Sequence, residues 1–237
     1  MRLQISALAL AAMLLSPPVM SIAHTAPAAC VDWGRRGMLL HQDEFDGPMS
    51  GYVSEFAAGP GNVVEARDGR LLIDVAAGAT VWLAKPMSGN VHISYTRRVV
   101  VDGGRNDRLS DLNHFWMARD PRGGKLFGRS GRFEEYDDLD LYYVGIGGNG
   151  NTTTRMRRYG NGERVLVGEH ADTTHLLKAN HDYQVDIMVY QGCTRVLVDG
   201  REYFSYRDPQ PYNSGYFGFR TTWSRQAIDH LKIYRLE

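Results

Sequence analysis

The chain reads as an all-β protein, a two-sheet antiparallel β-sandwich, on three observations. After Cys30 it breaks roughly every eight to twelve residues into short runs rich in Val, Ile, Tyr, Phe and Thr, bounded by Gly, Asn, Asp or Pro, which is the spacing of a sandwich or barrel. Asp199-Gly200 stands between two such runs, and both central positions of a two-residue hairpin need positive φ. Outside the N-terminal segment, no stretch longer than about ten residues keeps a helical period.

Taken in order, the N-terminus comes first. Arg2 precedes an apolar run over residues 5–15, followed by Ser16-Pro17-Pro18 and small residues around Ala26-Pro27-Ala28. That is a charged start, a hydrophobic segment too short to anchor, and cleavage options of the A-x-A kind. Residues 1–28 are therefore expected to be a signal peptide and 29–237 one domain, exported to the periplasm or beyond. Pro27-Ala28-Ala29 lacks the aliphatic residue that would mark Cys30 for lipidation. No later segment is apolar enough for a membrane helix. Cys30 and Cys193 allow one disulfide in an oxidising compartment, a pairing that spacing alone does not establish. Neither cysteine has the neighbours that activate a thiol.

The strands expected next are 71–75, 80–84, 91–101, 112–118, 139–146, 152–158, 183–190, 194–198, 202–206, 216–221 and 228–236. No repeat, linker or low-complexity tract divides them. Lys plus Arg equals Asp plus Glu at 27 each, so no global field draws the protein to nucleic acid or an anionic membrane, and the electrostatics that matter are local. They concentrate in residues 131–159, where carboxylates, tyrosines, amides and arginines fall on adjacent strands and can converge on one sheet face.

Alternation sorts those side chains. Phe115 and Met117 suit the core, which puts His114 and Trp116 on the groove side; Met156 suits the core, which turns Arg155 and Arg157 outward; Phe217 and Phe219 do the same for Tyr216 and Arg220. The acidic strand has two phasings. If Val144 and Ile146 are buried, Tyr143 faces the groove; if Leu139 and Leu141 are, then Asp138, Asp140 and Tyr142 do. A bulge reconciles them in part.

Asp43-Glu44-Phe45-Asp46-Gly47, Gly69-Arg70-Leu71-Leu72-Ile73 and the closing run 228–236 resemble the first and last strands of concanavalin A-like lectin/glucanase jelly rolls. Residues 143–155 with Phe217-Gly218-Phe219-Arg220-Thr221-Thr222 are similar to secreted bacterial proteins of the YesU-like kind, which are associated with breakdown of plant or algal polysaccharides. The resemblance implies a jelly roll whose concave face holds a saccharide. It also implies that a structural calcium can be carried, with the segment 43–46 offering hard oxygen ligands. The residues themselves call for no cofactor. His170, His175 and His181 are too loosely spaced for a zinc site.

Three chemistries fit this composition. The first is β-elimination from an acidic polysaccharide: Arg155 neutralises a uronate carboxylate, His114 and Tyr143 serve as base and acid, and Asn113, Trp116, Glu135, Asp137, Asn149, Asn151, Arg157, Arg220 and Trp223 bind substrate. The second is retaining glycoside hydrolysis, because Glu135-Tyr136-Asp137-Asp138-Leu139-Asp140 looks like the E-x-D-x-x-E signature of laminarinase-type glucanases, with Glu135 as nucleophile and Asp140 as acid/base. Asp140 is one methylene short of the pattern and Tyr136 replaces an aliphatic residue. The third is noncatalytic sugar binding on Trp116, Trp223, Tyr142, Tyr143 and Tyr212. Plainer roles compete: a backbone-bonded strand histidine for His114, core packing for Trp82, Trp116 and Trp223, cross-strand ion pairs for Arg155, Arg157 and Arg158, and positive-φ turns for Asn149 and Asn151.

Overall fold

The structure is a computed structural model and describes residues 29–237; the expected leader lies outside the described residues. Fourteen strands make up almost all of its regular structure: β1 Arg36–Asp43, β2 Tyr52–Phe56, β3 Val63–Arg67, β4 Arg70–Leu83, β5 Met87–Ser88, β6 Val91–Val100, β7 Leu112–Arg119, β8 Asp140–Gly147, β9 Thr153–Gly160, β10 Glu163–His170, β11 Tyr183–Tyr190, β12 Cys193–Val198, β13 Arg201–Arg207 and β14 Ser214–Leu236. Every pairing is antiparallel. The Asp199-Gly200 hairpin forms as expected, with both residues at positive φ.

Two layers result because the long strands β4 and β14 each serve both. The first half of β14 lies between β7 and the end of β4, giving the order β10-β9-β8-β7-β14-β4-β2. Its second half lies against β6, continuing to β11, β12 and β13, with β1 and the start of β4 on its other edge. The crossing point is Trp223, a bulge residue with φ 46° where the register with β4 slips.

The space between the layers is filled by inward side chains of both. Ile93, Tyr95, Val185, Ile187 and Val196 meet Trp116, Tyr142, Val144, Met156, Phe217 and Phe219, and Tyr95 stands edge-on to Phe219 at 5.0 Å between ring centroids. Arg97 crosses this core as a strut, donating to Gln226 Oε1 at 2.5 Å and to the carbonyls of Asn113 and Arg220 at 2.6 and 2.8 Å. Burial pushes its guanidinium down to about 10.

A second apolar cluster lies on the opposite, concave face of the first layer. Trp82, Phe115, Leu141, Tyr143 and Tyr159 pack there against Leu126, Tyr136 and Leu139 of the segment joining β7 to β8. Glu55 holds that segment down. It is buried and accepts from Trp82 Nε1, the Tyr136 hydroxyl and the backbone amides of Gly128 and Arg129, at 2.7–3.0 Å. A carboxylate with four donors is a satisfied buried charge.

Cys30 and Cys193 are joined, with Cα atoms 5.9 Å apart, tying the start of the described chain to β12. A structural disulfide belongs to oxidising compartments. Among the described residues no helix is long and apolar enough to cross a membrane.

Candidate functional site

The concave face of the first layer is organised by register. Glu169, Arg155, Gly145, Asn113, Arg220, Thr80 and Glu55 are consecutive cross-strand partners from β10 to β2 and share that face. The next row carries Leu166, Arg157, Tyr143, Phe115, Gly218 and Trp82. Between the rows and the adjoining loops lies a cleft of about 260 Å³, lined by Arg108, Asp111, Asn113, Phe133, Tyr143, Gly145, Asn149, Arg155, Arg157 and Thr222 among others.

Tyr143 forms its floor. Its ring is packed between Phe115 and Phe133, at 5.7 and 5.6 Å between centroids, and its hydroxyl has no protein acceptor among the described residues. The hydroxyl has room because residue 145 is glycine: a Cβ there would lie 2.1 Å from the phenolic oxygen and 2.8 Å from Asn113 Oδ1. Burial raises the phenol's pKa, reinforced by Tyr159 and Asp111, while Arg157 and Arg220 pull it back. The group is therefore a phenol at neutral pH.

Cations surround it. Arg108 pairs with Asp111 at 3.1 Å, and Arg155 pairs with Glu169. Arg157 sits 5.9 Å over the Tyr143 ring and has no carboxylate partner among the described residues. Arg220 lies behind the wall, fully buried in a cage of Phe133, Tyr136 and Phe115 at 4.7, 4.9 and 5.9 Å. It donates through Nη1 to Thr80 Oγ1 and the Gly131 carbonyl, while Nε and Nη2 have no partner among the described residues. Burial lowers its pKa. Four guanidinium groups against two carboxylates leave the cleft positive.

The strand between Leu112 and Arg119 corrects one expectation. His114 and Trp116 face the inner core, not the cleft. His114 is fully buried, with Nδ1 on the Tyr95 hydroxyl at 3.0 Å, Nε2 without a partner among the described residues, and a pKa well below the usual histidine range because burial and then Arg97 oppose its charge. Trp116 donates to Thr194 Oγ1 at 3.1 Å. Phe115 points to the concave side instead, since the β7–β8 segment makes that side apolar as well. Neither His114 nor Trp116 can touch a ligand in the cleft.

Other expected residues scatter. Glu135 sits in a 3-10 turn, Phe133–Tyr136, outside the sheet, where the backbone amide and hydroxyl of Ser130 and then Arg132 hold its carboxyl below the usual range. Asp140 begins β8 but is engaged by Arg119 at 2.8 Å and by the Tyr212 hydroxyl. Neither carboxylate lines the cleft, so the glucanase-like pattern does not assemble a pair there. Asp137 pairs with Arg164 at 2.5 Å, away from the cleft lining.

Asn149 and Asn151 both adopt positive φ, in the turn Gly148–Asn151. Asn149 lines the cleft, whereas Asn151 clamps Leu177 by donating to its carbonyl and accepting from its amide. Trp223 is 48% exposed at the rim, with Arg108 5.5 Å over its ring. Arg108, Asp111, Phe133, Gly145 and Thr222 escaped the sequence reading; Gly145 alone carried a signal, two residues from Tyr143 on the same strand face.

At the segment expected to offer calcium ligands, the acidic groups are in part already engaged. Asp43 spends both oxygens on the Phe45 amide and the Tyr52 hydroxyl, at 2.7 and 2.8 Å. Glu44 groups with Asp229 and His230, a set with one nitrogen and two carboxylates where calcium wants six to eight oxygens. Separately, His170 stacks on His175 at 3.8 Å beside Asp172.

Solved structures share this architecture. A Bacillus subtilis protein of unknown function with a galectin-like fold superposes with a TM-score of 0.70 at 15% identity, over 85% of this chain and 98% of that one. A carbohydrate-binding module, CBM66, from Bacillus subtilis gives 0.51 at 10% identity over 78% and 95%, and an endo-β-1,3-glucanase from Pyrococcus furiosus gives 0.58 at 11% over 84% and 94%. These likenesses establish the concanavalin-like sandwich and no more. No curated protein matches the chain. Residues 73–231, about two thirds of its length, match the model of a domain of unknown function, DUF6250, and the chain belongs to that family.

Proposed function

We propose that this protein, exported and acting as one domain over residues 29–237, binds an acidic saccharide in the Tyr143 cleft. The observation that carries the reading is Arg157: a guanidinium on the cleft lining, over an aromatic ring, with no carboxylate partner among the described residues. A carboxylate or sulfate ester supplies the missing bidentate partner. Tyr143 and Phe133 offer apolar ring faces, and Asn113, Asn149 and Asp111 offer hydroxyl partners. Sugar-binding and glycan-cleaving relatives of the fold, and the likeness of residues 143–155 to YesU-like proteins, point the same way.

The reaction assigned to the site is β-elimination at a uronate ring. Arg157, with Arg155 beside it, neutralises the carboxylate and so acidifies the C5 proton. In its ionised form, which Arg157 and Arg220 favour against the burial, Tyr143 takes that proton and returns it to the leaving oxygen, as the C4–O bond breaks and a C4–C5 double bond forms. With His114 sealed in the core, Tyr143 is the cleft residue placed for both transfers. A noncatalytic lectin is the competing reading, favoured by the burial that keeps Tyr143 protonated. Mixing the protein with polyuronates and following absorbance of the unsaturated product decides: a rise lost in Tyr143→Phe supports elimination, saturable binding with a flat absorbance supports the lectin, and no binding to any acidic saccharide overturns both.

A further inference from the structure

We infer that the cleft receives the end of an acidic saccharide chain and not its interior; the inference rests on the binding reading above. A groove that holds the middle of a polymer must be open at both ends, and this one is closed at one. Along the row that crosses the sheet, the trough is free over Arg155, Gly145 and Asn113 and then stops. Beyond Asn113 the Gly131 backbone lies directly on the sheet, where a Cβ on Gly78 would be 2.1 Å from the Gly131 carbonyl.

The closure is built in depth. Phe133 stands at the boundary, facing the cleft on one side and the buried Arg220 on the other. Behind it, Glu55 fixes the same segment through the backbone amides of Gly128 and Arg129 and the Tyr136 hydroxyl. Unseating it would strip a buried carboxylate of three of its four donors, so the wall is not a mobile lid.

The opposite side is open. β10 is the edge strand of this layer, and its Leu166, cross-strand partner of Arg157 on the concave side, is 53% exposed. A chain entering across β10 would rest its second or third ring on Leu166 and bring its terminal ring to Arg157 and Tyr143. The volume, about 260 Å³, lies below the roughly 300–1,000 Å³ of sites that enclose drug-sized ligands, as suits a site for a terminal ring.

The test is calorimetric titration with galacturonate, glucuronate and alginate series: monosaccharide, trimer, and polymers of different chain length at equal mass concentration. The inference expects capacity to follow chain ends, so that a sample about ten times shorter offers about ten times more sites per gram. Leu166→Ala, at an exposed position that leaves the core intact, should weaken the trimer about three- to tenfold and leave the monosaccharide unchanged. Capacity that follows mass regardless of chain length overturns the chain-end inference while acidic-saccharide binding stands. Equal weakening of monosaccharide and trimer by Leu166→Ala overturns entry across β10. Failure of every uronate to bind removes the site reading and this inference with it.

Discussion

The hydroxyl of Tyr143 occupies the space that a side chain on residue 145 would fill: a methyl there would stand 2.1 Å from the phenolic oxygen. Gly145→Ala should therefore push Tyr143 out of place. Since the ring is wedged between Phe115 and Phe133, relief is not free, and overpacking of this kind costs about 1–3 kcal/mol. The expected outcome is a folded variant with a lower melting temperature and at least tenfold weaker uronate binding. Unchanged affinity would show that the hydroxyl position does not matter.

Arg157 separates charge from shape. Among the described residues it has no ion pair to lose, so Arg157→Ala should change stability by no more than about 0.5 kcal/mol, as for other surface substitutions. Binding of an anionic sugar should fall far more, by a factor of about ten to a hundred for a lost charge-assisted pair of about 1.5–3 kcal/mol. Arg157→Lys should recover only part of this, because the ammonium cannot make the planar two-point contact. Parallel denaturation and titration measure both, and full recovery by lysine would refute the bidentate clamp.

His114 should make the protein acid-sensitive. Its folded pKa lies well below 6.5 because burial, and then Arg97, oppose the imidazolium. Unfolded, the ring takes up a proton near pH 6.5 while the folded ring does not, so its contribution is fully present above that pH and is lost as pH falls below it. The slope approaches about 1.4 kcal/mol per pH unit for one proton. Urea unfolding on either side of pH 6.5 should show this for the native chain and less of it for His114→Gln, which keeps a polar partner for Tyr95. An identical slope in the variant would place the sensitivity elsewhere.

The Cys30–Cys193 bridge closes a loop with a sequence separation of 163 residues. Reduction or Cys193→Ser should lower stability by about 2–4 kcal/mol through the unfolded chain. Thermal unfolding with and without a thiol reductant reads this directly, and coincident melts would deny the bridge any stabilising role.

How far the sequence could be read depended on whether a strand had one apolar side or two. In β9 and the first half of β14, Met156, Phe217 and Phe219 alternate with arginines, so the outward positions of Arg155, Arg157 and Arg220 were legible. In β7, residues 112–118 are all buried, and a strand covered on both sides gives no phase. Which side held His114 was decided by a covering segment whose own composition, Arg, Gly, Asp and Ser with Leu126, Phe133 and Tyr136 interspersed, reads as a loop. Arg108 and Asp111 belong to the cleft only because a similar irregular stretch folds beside Thr222, a relation no local pattern encodes.

Ser214–Leu236 is needed by both layers at once, contacting β4, β6 and β7 as well as β1 near the start of the described chain. While the polypeptide is being made, its earlier strands wait without the neighbour that joins them, and such long-range pairing slows folding. The two layers are therefore joined only once residues 214–236 are available to pair with both.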